Sequence, residues 1–318
     1  IVGLTSCACA PAESSTALDN SHSNASLDLN KMKVRFMKLS QLSAIIFSIL
    51  SAVPAFAHEY WLSPVNYQVE SGEKIAAHFR NGEEFTGAAF PYLPNRLTRF
   101  EVKIGGKEVP LSPRAGDSPA LSLPAPEGDA LVVAVAETTP SKVTYEDFDK
   151  FLRFAAHKDF PKAESDHRAN GWSTEKVVES YTRHVKTLIA LGAGTGHDAP
   201  TGMATEFVAL TNPYDADFAG EMKVALLYQA APRPNAQIEV FDRAPDDSVA
   251  ISLHRTDAAG EALIPVTAGH EYLFDAVVLR PAAVYGPWDQ EWLPVFRAAR
   301  GRVLPIAAGP DARVCLIH

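Results

Sequence analysis

The sequence predicts a mainly β protein: two β-sandwich domains of immunoglobulin-like size, with a short helical insertion between them. Three observations carry this. Short runs with apolar residues at every second position recur on both sides of the chain's middle. Polar or glycine-containing turns such as Gly105-Gly106 separate them, at the spacing expected of sandwich strands. Between Tyr145 and Leu188 the apolar spacing changes from two to between three and four, which reads as helix.

In chain order, residues 1–31 open on Ile1, are rich in Ser, Ala and Asn, and show no periodicity. They are expected to be a non-native or disordered leader, with a start at Met32 or Met37. The predicted signal peptide, 32–57, follows Lys31 and continues its basic run (Lys33, Arg35, Lys38), then has an apolar run from Leu42 to Val53, then Ala55-Phe56-Ala57. That order is the order of a secretory signal peptide. The apolar run is far short of the roughly 20 residues a membrane span needs, so no span is expected after cleavage. A cut after Ala57 makes His58 the first residue of an exported, periplasmic protein.

The amino-terminal β domain, 58–140, contains Val65–Val69 and Lys74–Phe79 around Ser71-Gly72, expected to pair with each other. It continues with Arg99–Ile104 and Lys107–Leu111 around a hairpin turn, and with the apolar run Ala130–Ala136. The insertion and linker, 141–202, hold one helical stripe (Phe148, Phe151, Leu152, Ala155) and a second (Val177, Tyr181, Val185, Leu188) that begins at Ser173 as N-cap and stops at Gly192. The glycine-rich segment Gly192–Gly202 lacks the Lys-Ser/Thr and following helix of a phosphate loop, so it reads as a linker. The carboxy-terminal sandwich, 203–292, holds Glu206–Leu210, Glu221–Tyr228, Gln237–Phe241, Val249–His254, Ala262–Val266 and Glu271–Leu279. Residues 293–318 form an irregular tail rich in Arg, Ala, Gly and Pro.

Composition narrows the function. The formal charge is −9, which disfavours nucleic acid and anionic lipid as partners and tolerates cations. Cys7 and Cys9 precede the predicted cut, leaving Cys315. The exported chain therefore forms no internal disulfide and no cysteine metal site, a pattern suited to a bacterial periplasm. There is no G-x-S-x-G elbow, and neither His58-Glu59 nor His270-Glu271 continues to a second histidine at zincin spacing, so an enzyme is not expected.

A free amino-terminal histidine offers an α-amino group and an imidazole to one divalent cation, and a second imidazole completes a nitrogen-rich site. The candidate metal residues are His58 and His78, the latter on the strand expected to follow the first turn. The ordinary reading of His78 is an exposed strand histidine. His157 and His184 read as solvated helix residues, His197-Asp198 as a weak ligand pair on a loop, and Trp61 as a packing anchor.

Several segments together resemble a known family. Ala57–Pro64 reads A-H-E-Y-W-L-S-P, and His78–Phe85 reads H-F-R-N-G-E-E-F. Pro140–Leu152, Ser180–Gly192 and Thr256–Gly260 continue the likeness in order, across residues 58–290. The chain resembles an uncharacterised periplasmic family described as a nickel-transport-complex NikM-type subunit. The resemblance implies an extracytoplasmic β-sandwich protein, a nickel or cobalt ion as cargo, and membrane metal-transporter components as partners. It implies no catalytic activity. Two other readings stand beside it: a metal-free structural or ligand- and protein-interaction sandwich, and a copper protein using its amino-terminal histidine.

Overall fold

The computed structural model describes the backbone of residues 2–5 and the whole of residues 59–279. The predicted leader, signal peptide, His58 and tail fall outside the described residues, apart from the short strand β1 (Val2–Thr5).

Along the chain follow β2 (Glu59–Pro64), β3 (Gln68–Val69), β4 (Lys74–Glu83), β5 (Thr86–Phe90), β6 (Leu97–Ile104), β7 (Lys107–Val109), β8 (Leu121–Pro124), β9 (Ala130–Thr138) and β10 (Ser141–Tyr145). Two helices come next, α1 (Phe148–His157) and α2 (Ala163–Ala169). The rest are β11 (Val177–Tyr181), β12 (His184–Leu191), β13 (Thr205–Ala209), β14 (Glu221–Tyr228), β15 (Ala231–Pro232), β16 (Gln237–Arg243), β17 (Val249–Arg255), β18 (Glu261–Pro265) and β19 (Glu271–Asp275). The protein is mainly β, as the alternating runs predict.

Four sheets and one ribbon result. The first sheet joins β2, β4 and β5, with β8 on β4; the second has the order β3-β12-β9-β6-β7. The third joins β13, β14 and β15, with β18 on β14; the fourth has the order β1-β19-β16-β17. Pairing is antiparallel except at β3–β12 and β1–β19.

The second sheet is the centre of the molecule. On β9, Val132, Ala134 and Ala136 face the first sheet in one core, while Leu131, Val133 and Val135 face the third and fourth sheets in another. On β12, Val185, Ile189 and Leu191 join the first core and Leu188 the second. A strand covered on both faces needs apolar residues at every position, which is why Ala130–Ala136 reads as an unbroken run.

Two sequence expectations are corrected. The second predicted helix is absent: β11 and β12 occupy its span. Val177, Tyr181, Val185 and Leu188 match a helical period by coincidence, because every residue of β12 is buried and no period is left to read. The β-branched Val177, Val178, Val185, Thr187 and Ile189 fit the extended form. The helical insertion is instead α1 and α2, held on a ribbon in which Ser141 pairs with Tyr181 and Tyr145 with Val177. Helix α1 forms where expected, with Asp147 accepting from the Asp149 N–H as N-cap and Phe151, Phe154 and Ala155 buried.

The second correction concerns the first turn. β4 pairs with β2, not with Val65–Val69. Val65 is 55% exposed, whereas β2 brings Trp61 and Leu62, both nearly fully buried. Ser71-Gly72 therefore joins strands of different sheets, with Gly72 at φ +84°. At the far end of β4, Gly82 lies opposite Gly87, and a Cβ on Gly82 would come 2.0 Å from the Thr86 carbonyl oxygen, so only glycine fits this approach.

Candidate functional site

β2 presents two different faces. Leu62 enters the first core, while Trp61 turns the other way onto Phe85, Phe241 and Leu273. Trp61 meets Phe85 edge-to-face at 6.2 Å, the packing anchor expected of it. Phe241 and Leu273 are direct partners across β16 and β19. Two residues along each strand, on the same face, Glu239 and Asp275 are direct partners too. The fourth sheet therefore offers β2 an apolar rung and then an acidic rung. Glu59, two residues before Trp61 and on its face, is 4% exposed and lies in the field of that acidic rung.

Like charges directly opposed in a sheet repel, and here a cation intervenes. Lys158, just past the end of α1, places Nζ 2.5 Å from Glu239 Oε2 and 2.7 Å from Asp275 Oδ2. His157 Nε2 lies 3.0 Å from the other Glu239 oxygen. Glu59 Oε2 is buried with no hydrogen-bond partner among the described residues.

The electrostatics follow from this placement. Burial first, and then the negative charge of Asp275, push the Glu59 carboxyl up to about 8, against the opposing pull of Lys158. At neutral pH Glu59 thus keeps its proton. Burial acts upward on Glu239 as well, but the His157 hydrogen bond and Lys158 outweigh it and hold that carboxyl below its ordinary range. Burial acts downward on Lys158, and Asp275 and Glu239 more than reverse it. The layer contains a carboxyl poised to exchange a proton near physiological pH, next to a fixed ion pair.

A second buried ion group has a different character. Lys186, on β12, bonds both oxygens of Asp198 at 3.0–3.1 Å and lies 2.7 Å from Glu206. Asp198 also accepts from the backbone N–H of Ala199 and Ala209, and Glu206 from Thr201 and Gly202. Every one of these carboxylates is occupied, so the group is structural, and the glycine-rich segment expected to be a linker is tied into the core through Asp198. That use removes Asp198 from the His197-Asp198 ligand pair.

Of the two predicted metal residues, His58 lies outside the described residues. His78 is on β4 opposite Ser63, and Glu59 is opposite Gly82. Four residues of strand, about 13 Å, separate those rungs. The Nδ1 of His78 is 3.4 Å from Ser118 Oγ. His157 is the last residue of α1 as expected, partly exposed with Nε2 on Glu239, whereas His184 is not a solvated helix residue but is 6% exposed on β12. Among the described residues no group of three or more His, Cys, Asp or Glu is arranged to hold a metal ion. Lys158 bonds one oxygen each of Glu239 and Asp275, and Glu59 Oε2 is the fully buried carboxylate oxygen of the layer that has no hydrogen-bond partner among the described residues.

Sequence reasoning missed Glu239, Asp275 and Lys158. The available signal was the face shared by Glu239 and Phe241: a phenylalanine on the supposedly wet side of a strand implies that something covers that side.

A family model described as Domain of unknown function (DUF4198) matches residues 55–280. The chain belongs to this family. The DUF4198 match begins just before β2 and ends just after β19, so every strand but β1 and the whole Glu59 layer fall inside it. No curated protein matches the sequence. Among the described residues no helix is long and apolar enough to cross a membrane.

Proposed function

We propose that this DUF4198 protein is an exported, non-enzymatic metal-binding and delivery accessory of a nickel or cobalt uptake system, with the amino-terminal His58 as its primary ligand. We read the two cores, on either side of the second sheet, as immunoglobulin-like sandwiches that share it. The reading draws on the signal-peptide pattern before His58, the acidic balance of the chain and the NikM-type resemblance. The observation that carries it is Glu59, the residue after His58, whose buried oxygen has no partner among the described residues and whose proton is given up only near pH 8. A divalent cation arriving beside it favours the ionised form, so binding is coupled to proton release. Lys158 bridges Glu239 and Asp275 and offsets part of their charge, so the open oxygen of Glu59 is the one we assign to the metal.

The test is calorimetric titration of the exported protein with nickel and cobalt in buffers of different ionisation enthalpy. One-to-one binding is expected, with His58→Ala losing at least tenfold in affinity and Glu59→Gln lowering the protons released at pH 7 by about one. Equal binding by all three proteins, or no retained metal, sinks the reading.

A further inference from the structure

Away from Glu59, β2 borders a second feature. Tyr60, Phe79, Phe90 and Leu93 line one side of a cleft of about 240 Å³, between the first sheet and the β10–β11 ribbon. Tyr60 stacks on the fully buried Phe79 at 5.5 Å with their planes 11° apart, so Phe79 backs the aromatic wall from the core and the half-buried Tyr60 and exposed Phe90 are its open surface. Phe90 and Leu93, 39% and 37% exposed, are among the large apolar side chains the protein leaves open to water.

Arg96 and Arg183 close the other side. Neither has a carboxylate partner among the described residues, although Arg99, a few residues away, is paired with both Glu101 and Glu137. Acidic residues outnumber basic ones here, 38 to 29, so an unneutralised arginine pair is not explained by a shortage of carboxylates. The Arg183 guanidinium carbon lies 5.0 Å from the centre of the Tyr181 ring, a cation–π contact that consumes none of its hydrogen-bond donors. Its charge also acts on the Tyr60 hydroxyl, which places it close to the aromatic wall.

We propose that this cleft binds a small carboxylate with a flat apolar body. The aromatic wall stacks the body, and the two guanidinia receive the carboxylate in the forked geometry that arginine matches best. The volume is below the roughly 300–1,000 Å³ of sites for drug-sized ligands, so the ligand is of one- or two-ring size. Nothing in this depends on the metal reading, since none of these groups touches the Glu59 layer.

Calorimetric titration of the full chain with 2-naphthoate and with its neutral analogue 2-naphthalenemethanol tests the proposal. The carboxylate is expected to bind at least tenfold more tightly than the alcohol. Arg183→Gln and Arg96→Gln are each expected to weaken naphthoate about tenfold and leave the alcohol unchanged, because the substitution removes a charge-assisted hydrogen bond and spares the wall. Both arginines sit at the surface, and the native protein's discrimination between the two probes is decisive without any variant. Equal affinity for the two probes, no binding of either at millimolar concentration, or naphthoate affinity unchanged in both variants overturns it.

Discussion

At the scale of the residue, Glu59 has a definite thermodynamic signature. Its folded-state pKa of about 8 lies above the unfolded value near 4.5, so the folded protein binds the extra proton between those limits. The associated stability is fully present below about pH 4.5 and is lost as pH rises through about 8. Glu59→Gln, which mimics the protonated form, removes that loss. Urea denaturation at pH 5.5 and 8.5 is expected to show the variant gaining about 2–5 kcal/mol on the native protein between the two conditions. A difference that does not change with pH would mean that Glu59 is ionised throughout. None of this was legible in the sequence, where Glu59 is one acid among many. Its burial is imposed by Trp61, which fixes the face of β2, and by the acidic rung of two strands about 180 residues distant or more.

At the scale of the element, legibility tracked exposure. β14 spans Glu221–Tyr228 as expected because one face is wet and the other dry, so its pattern alternates. The Gly105-Gly106 hairpin was legible from its turn residues alone. β12 was misread for the opposite reason, since burial on every side erased the alternation. The short strands β5, β8 and β10 escaped notice because several of their side chains are exposed and little hydrophobic pattern marks them. The strand assignment at β12 makes its own prediction. Ile189→Ala opens a cavity between the first and second sheets and is expected to cost about 2–5 kcal/mol in urea denaturation. Leu253→Ala, on the outer face of β17 and 60% exposed, is expected to stay within about 0.5 kcal/mol. Comparable costs at the two positions would place Ile189 outside the core.

At the scale of the whole molecule, the mainly β character was legible as composition and period, and the sharing of one sheet by both cores was not. The two cores are divided by one sheet whose strands supply side chains to both, and β2 links the first sheet to the fourth through Trp61, Phe241 and Leu273. Far-UV circular dichroism and tryptophan fluorescence are therefore expected to report one coincident unfolding transition. Two separated transitions would show that the halves are independent.

The central sheet also governs when folding can begin. A polypeptide leaves the ribosome amino terminus first, and the opening strands wait for β12, more than a hundred residues behind β2, before their core can close. The covering layer over Glu59 waits longer still, until Asp275 has emerged. Closure of the two cores is thus a late event along residues 59–279, set by contacts between strands far apart in sequence.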